Sequence, residues 1–183
     1  LALYETYNLL VAVQSAAEQE FVQHIANGFV KFKQKTLNTL TGAEQFSGDI
    51  LSLVDHADLE ETIAINSIVK RAENHYADML WALSQRLALL NHGEKITDAK
   101  NPASPVQFCE SLRKLLSSLD ITVKTKLMGY KLFEEMVIAH LDDLYSTINT
   151  YLIEQHFLPN LRFVGGEHGS DGRASGSNKV GQV

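Results

Sequence analysis

Three pairs of side chains have types and spacings that suit metal or acid-base chemistry. They are Glu20 with His24, His75 with Asp78, and His140 with Asp143. Residues three or four apart share one face of a helix, so each pair could supply two metal ligands or a hydrogen-bonded acid and base. A di-metal site in a helix bundle needs Glu-x-x-His pairs on facing helices, and the sequence contains no Glu-x-x-His. We therefore predict no metal and no other cofactor, and we expect Glu20 and His24 to form a solvated pair.

No serine or cysteine nucleophile in a matching motif accompanies the histidine and aspartate pairs. His140 precedes the predicted core residue Leu141, so we expect a partly buried imidazole with satisfied ring nitrogens. Cys109, the single cysteine, lies near the start of a predicted helix, where the helix dipole can lower a thiol pKa. Free cysteines are more often buried small hydrophobes. The sequence therefore predicts no catalytic residue and a non-enzymatic role.

A basic cluster is the more unusual feature of the sequence. Its members are Arg113, Lys114, Lys124, Lys126 and Lys131. Lys124, Lys126 and Lys131 lie in the first third of the predicted last helix, where cations oppose the helix dipole, so another interaction is needed to favour them there. They either pair with acidic faces of neighbouring helices or bind an anionic ligand such as a nucleotide messenger. Dispersed, ion-paired cations would favour a scaffold, whereas convergent, exposed cations would favour a ligand site.

Composition excludes several other functions. The 183 residues carry a formal net charge of -6, which disfavours binding to nucleic acid. No apolar stretch approaches the roughly 20 residues of a membrane-spanning helix. A single cysteine allows no internal disulfide, and we expect a reducing compartment, the cytoplasm.

Helical periodicity predicts an all-α fold without a sheet. Three long helices are expected at about 3–34, from Asp55 or Asp58 to Leu90, and at about 122–155, with a short helix at about 105–119. The connections let successive long helices return antiparallel, so we expect an elongated bundle with the short helix as a shoulder. Residues 1–163 would form this domain, and the Gly- and Ser-rich residues 164–183 a flexible linker or disordered tail.

Apolar stripes and caps mark the predicted helices. The second helix has Ile65, Val69, Ala72, Tyr76, Met79, Leu83, Leu87 and Leu90, and the last helix has Val123, Leu127, Tyr130, Val137, Leu141, Leu144, Ile148 and Leu152. Ser104 followed by Pro105 predicts a hydroxyl N-cap and a proline at the first helical position. Asp120 is the predicted cap of the last helix.

The first and last helices carry more apolar residues than so small a bundle readily covers. These residues are Phe21, Ile25, Phe29, Phe32, Tyr145, Ile148, Tyr151 and Leu152. Surplus apolar surface predicts an interface, either in a homodimer or with other domains of the same protein or a protein partner. Alternatively, the connection over 36–53 covers the gap with Leu40, Phe46, Ile50 and Leu53.

Four segments resemble a known family: LSLVDHADLEETIAINSIVKRAENHYADMLWALSQRLALL, NPASPVQFCESLRKLL, KTKLMGYKLFEEMVIAHLDDLY and LPNLRF. The chain up to about Phe163 resembles the bacterial family called domain of unknown function 1631. The resemblance implies an amino-terminal helical portion of a much longer bacterial protein. Members are often labelled thymidine phosphorylase, but the sequence has no Gly-rich phosphate-binding loop between a strand and a helix.

Overall fold

The computed structural model describes residues 2–39 and 56–161, which form six α-helices. They are α1 (Ala2–Lys33), α2 (His56–His75), α3 (Ala77–Leu90), α4 (Pro105–Ser117), α5 (Val123–Met136) and α6 (Leu141–Glu154). Short 3-10 turns lie at Asp98–Lys100 and Ile138–His140. No strand occurs in these ranges, so the predicted all-α fold is confirmed. The predicted tail at 164–183 and the proposed cover residues Leu40, Phe46, Ile50 and Leu53 lie outside the described residues.

Helices α5 and α6 run alongside α2 and α3 in the same direction. Near the start of this pairing, Lys126 of α5 donates a hydrogen bond to Glu61 of α2. Near its end, Arg86 of α3 donates one to Asn149 of α6. The two long segments that follow one another in the sequence are therefore parallel.

The short helix α4 supplies the antiparallel step between these two segments. Asn101, just before α4, donates a hydrogen bond to Ser84 of α3, whereas Arg113, late in α4, donates one to Thr62 at the other end of the pair. Helix α4 is thus the return leg of an up-down-up arrangement, and not the shoulder expected from its length. Helix α1 packs mainly on α4.

The second and last predicted helices are each interrupted, and the two interruptions meet at Tyr76. This residue separates α2 from α3, with φ -103° and ψ 19°. Its hydroxyl donates to the carbonyl of Ile138 at 2.9 Å and accepts from the amide of Leu141 at 3.2 Å. Because the turn between α5 and α6 leaves backbone groups without helical partners, the buried phenol satisfies two of them.

The interruption between α5 and α6 shifts the predicted apolar stripe. Val137 and Leu144, expected in the core, are 37% and 39% exposed. Ile138 and Tyr145 are buried in their place. The 3-10 turn has about three residues per turn instead of 3.6, so the positions that follow it rotate relative to a continuous helix.

The core lies where α2 and α3 meet α4, α5 and α6. It consists of Ile65, Ile68, Val69, Ala72, Tyr76, Leu80, Leu83, Leu87, Ile96, Ala103, Val106, Phe108, Cys109, Tyr130, Ile138, Leu141, Tyr145 and Leu152. The stripe predicted for the second helix is buried, except that Met79 is partly exposed and Leu90 is 44% exposed at the end of α3. Among the described residues, no helix is both long and apolar enough to cross a membrane.

The N-cap residues of α4 and α5 lie at or near the predicted positions, but the predicted capping hydrogen bonds differ. Ser104 occupies the N-cap of α4 ahead of Pro105, yet its buried hydroxyl has no hydrogen-bond partner within the described ranges. Thr122, and not Asp120, caps α5 by accepting a hydrogen bond from the amide of Thr125. Gly93, with φ +82°, ends α3 by donating to a carbonyl of the last turn, a position that favours glycine.

Candidate functional site

Two of the five predicted anion-binding cations form ion pairs with buried carboxylates of the same chain. The Lys126 ammonium lies 3.0 Å from the Glu61 carboxylate, which is 5% exposed and also accepts a 2.7 Å hydrogen bond from Tyr130. Burial, followed by the hydrogen bond to Glu61, raises the pKa of Tyr130. Arg113 pairs with Glu110 at 3.6 Å. The contacts of Glu61 join α2 to α5, whereas the pair of Arg113 and Glu110 lies within α4.

The other three cations do not converge with them on one exposed surface. Lys131 lies 4.0 Å from Glu135 on the outside of α5, and Lys124 is exposed on the first turn of the same helix. Lys114 lines a groove of about 630 Å³ between α1 and α4, together with Lys31. The predicted cluster is therefore dispersed.

The groove between α1 and α4 is lined largely by amides and charged groups. Gln107 accepts a hydrogen bond from Thr39, the last residue described before the gap. Nδ1 of His24 and Oε1 of Glu110 are buried there without a hydrogen-bond partner in the described part of the chain. Burial raises the pKa of Glu110, against the lowering effect of Arg113. Neither of these two atoms presents an accessible surface to a ligand in the groove.

The candidate acid-base pairs are dispersed as well. Glu20 is exposed, and His24 is partly buried. The Asp78 carboxylate accepts a hydrogen bond from the amide of Met79. His140 is exposed, which corrects the expectation of a partly buried imidazole, because the 3-10 turn directs position 140 away from the core. No group of three or more metal-ligating side chains occurs in the described ranges.

Cys109 is a buried core residue, 1% exposed. Burial, reinforced by the charge of Glu110, raises the pKa of its thiol to about 12, opposite to the lowering that the helix dipole alone would produce. We expect no reaction of the folded protein with a thiol reagent at mildly alkaline pH, and full reaction after unfolding in urea. Rapid labelling of the native protein would contradict this description.

A carboxylate that the sequence analysis missed has an unusual pKa. Burial, with a contribution from Asp98, raises the pKa of Glu73 on α2 to about 7. In the sequence, the position of Glu73 directly after the predicted core residue Ala72 indicates partial burial of the carboxyl group, but it does not indicate a neighbouring charge. Asp98 lies near Glu73 because the loop after α3 brings both residues to the lining of one cavity.

This raised pKa predicts a pH-dependent stability. A folded-state pKa above the unfolded value of 4.5 means that protonation stabilises the fold, so the contribution is full below pH 4.5 and is lost as the pH rises to about 7. Glu73→Gln should therefore raise the free energy of unfolding above pH 7 by about 1 kcal/mol, a value reduced for the partial solvent access of the carboxyl group. Urea unfolding at several pH values would measure it. If the free energy of unfolding changes with pH between 4.5 and 7 by the same amount in the wild type and the variant, the prediction is wrong.

Arg86 is a second residue that the sequence analysis missed. Its side chain is buried, and it donates to the carbonyls of Phe157 at 3.2 Å and Leu158 at 3.4 Å as well as to Asn149. Burial lowers its pKa. Its place between Leu83 and Leu87 was the available signal. The guanidinium fixes the turn that follows α6.

The predicted interface residues divide between core and surface. Tyr145 and Leu152 are buried core residues, and Phe21, Ile25, Phe32 and Ile148 are partly buried. Phe21 packs edge-to-face on Phe133 of α5, with ring centroids 5.7 Å apart. Phe29 and Tyr151 are 41% and 59% exposed. Only part of the predicted set is therefore available to another protein.

A different apolar surface follows the outer side of α5 and α6. We call it the α5–α6 ridge, and it consists of Met128, Leu132, Met136, Val137, Leu144 and Tyr151. These side chains are between 37% and 70% exposed. A spacing of four keeps Met128, Leu132 and Met136 on one side of α5, and a spacing of seven keeps Leu144 and Tyr151 on one side of α6. The four-residue spacing of Met128, Leu132 and Met136 was the signal in the sequence.

Comparison with known proteins identifies the family. The N-terminal domain of a family described as protein of unknown function (DUF1631) matches residues 2–156. No curated protein and no solved structure matches the chain. The match covers most of the 183 residues, including all six helices and three of the four segments that resemble this family, whereas LPNLRF at 158–163 lies beyond it. The chain therefore belongs to the DUF1631 family, through its N-terminal domain.

Proposed function

We propose that this domain is a non-enzymatic helical scaffold that binds another protein surface through the α5–α6 ridge. The observation that carries the proposal is the exposure of six apolar side chains along two consecutive helices and the turn between them. Single exposed apolar residues are normal on soluble proteins, whereas contiguous rows of them mark contacts. Met128 and Met136 suit such a surface because methionine adapts to the shape of a partner.

The distribution of charge supports a scaffold over an anion-binding module. Arg113 and Lys126 compensate the buried carboxylates Glu110 and Glu61, so a ligand would have to compete with pairs that stabilise the fold. Lys124 and Lys131 are exposed side chains of α5, the helix that carries Met128, Leu132 and Met136 of the ridge. Cations at the edge of an apolar contact steer association and select a partner.

The proposal places the domain in the bacterial cytoplasm as part of a longer protein. A single buried cysteine suits a reducing compartment. The description of the matching family segment as an N-terminal domain suits a polypeptide with further domains.

A photo-cross-linker placed in the intact protein would test the proposal. Benzoylphenylalanine at Leu132, on the ridge, should form adducts with a protein, and the adduct peptide would identify the surface contacted. Ile63 of α2 is a matched control, because it is 57% exposed and Leu132 is 55% exposed. Adducts at Leu132 no more frequent than at Ile63 would overturn the proposal.

A further inference from the structure

We infer that the ridge pairs with the ridge of a second copy of this chain, with the two α5–α6 segments antiparallel. The inference rests on the proposed function and names its partner. It follows from the charges that flank the ridge and from their distances from its centre.

The two halves of the ridge carry opposite charge. On α5, Lys126 and Glu134 are used in pairs with α2, which leaves Lys124, Lys131 and Glu135 exposed. On α6, the exposed charges are Asp142, Asp143 and Glu154, and the helix contains no lysine or arginine. The exposed charge is thus +1 on α5 (two lysines and one glutamate) and -3 on α6 (two aspartates and one glutamate).

This asymmetry selects one orientation for a symmetric pair. In a parallel dimer, the acidic α6 helices would face each other and repel. In an antiparallel dimer, α6 of one copy faces the lysine-bearing α5 of the other. A two-fold axis across the ridge produces that arrangement with the same surface on both copies, as closed homodimers require.

The register follows from equal distances along the chain. Lys131 and Asp143 each lie six residues from Val137, or about 9 to 10 Å along the helices. An axis at Val137 therefore sets Lys131 of each copy opposite Asp143 of the other. The same axis sets Leu132, five residues before Val137, close to Leu144, seven residues after it. Within one chain, Lys131 lies 4.0 Å from Glu135, and both side chains are highly exposed. This pair is therefore weak and does not prevent Lys131 from pairing with Asp143 of the other copy.

Charge reversal would test both the dimer and its orientation. Sedimentation of the wild-type chain at increasing concentration should show a monomer–dimer equilibrium. Lys131→Glu and Asp143→Lys should each raise the dimer dissociation constant about tenfold, because each affects two symmetric pairs per dimer. The double variant should return to within about twofold of the wild-type constant, since the reversed charges attract again. Lys70→Glu, on the exposed side of α2, should leave the equilibrium unchanged.

Cysteine cross-linking would test the register independently. Cys109 is buried, so a thiol introduced on the ridge is the reactive one. Met136→Cys, beside the axis, should form a disulfide-linked dimer under mild oxidation. Met128→Cys should not, because nine residues from the axis on each copy separate the two thiols by about 27 Å along the helices. A disulfide needs Cα atoms within about 7 Å.

The outcomes separate this inference from the proposed function. A strictly monomeric chain, or double reversal that fails to restore the dimer, would overturn the inference. Equal cross-linking at positions 128 and 136 would also overturn it. If Leu132 then cross-links to a different protein or to another part of its own polypeptide, the proposed function stands without the dimer. If Leu132 cross-links to nothing, both are wrong.

Discussion

Tyr76→Phe should lower the free energy of unfolding by about 3 kcal/mol, although it removes a single oxygen atom, because two buried backbone groups lose their hydrogen bonds together. The hydroxyl accepts from the Leu141 amide and donates to the Ile138 carbonyl, and the tyrosine is 3% exposed. The ring and its packing are retained in the variant. The loss is therefore that of the polar bridge between the two helix interruptions.

Tyr145→Phe is the matched control. Its ring packs edge-to-face on Tyr76 at 5.3 Å, and its side chain is fully buried. The Tyr145 hydroxyl has no hydrogen-bond partner in the part of the chain that the structure describes. A buried hydroxyl without a partner destabilises the fold, so its removal should be neutral or stabilising by up to about 1 kcal/mol.

Urea unfolding followed by far-UV circular dichroism would measure both variants. The expected result is a lower midpoint for Tyr76→Phe and an unchanged or higher midpoint for Tyr145→Phe, with similar slopes. Equal losses in the two variants would show that the bridge to Ile138 and Leu141 contributes nothing specific. Hydrogen exchange at the Leu141 amide should also accelerate only in the Tyr76 variant.

The helical class of this fold was predictable because apolar residues recur at three- and four-residue steps. The burial of Ile65, Val69 and Leu83 follows from that periodicity alone. The interruption at Tyr76 was not predictable, because no Pro or Gly marks it. The hydroxyl of the residue at this interruption binds a carbonyl 62 positions away, a contact that no local pattern indicates. Parallel pairing of the two long segments likewise depends on α4 acting as the return leg, which connection lengths do not reveal.

The sequence predicts that an exposed apolar surface exists, but it does not predict which residues form it. The sequence identifies surplus apolar positions on the first and last helices. It does not show that the turn at Ile138–His140 rotates the stripe, burying Tyr145 and exposing Leu144. The dispersal of the basic cluster was equally hidden, because the partners Glu61 and Lys126 are 65 positions apart.

The contrast between two ion pairs that join α2 and α5 gives the second large effect. Lys126→Met should lower the free energy of unfolding by about 3 kcal/mol, because among the described residues the Glu61 carboxylate then keeps only the hydroxyl of Tyr130 as a buried partner. Glu61 is 5% and Lys126 17% exposed, so water cannot readily replace the ammonium. Methionine retains most of the apolar stem.

Arg71→Met makes the equivalent change in the exposed pair and should lower the free energy of unfolding by less than about 1 kcal/mol. Arg71 binds Glu134 at 2.7 Å, a shorter contact than the 3.0 Å between Lys126 and Glu61, but its side chain is 60% exposed. Urea unfolding of both variants therefore tests whether the N–O distance or the burial of an ion pair determines its contribution to stability. If the Arg71 variant loses as much stability as the Lys126 variant, burial of Glu61 is not what makes the pair with Lys126 strong. If Lys126→Met together with Glu61→Gln recovers most of the loss, the uncompensated carboxylate is its source.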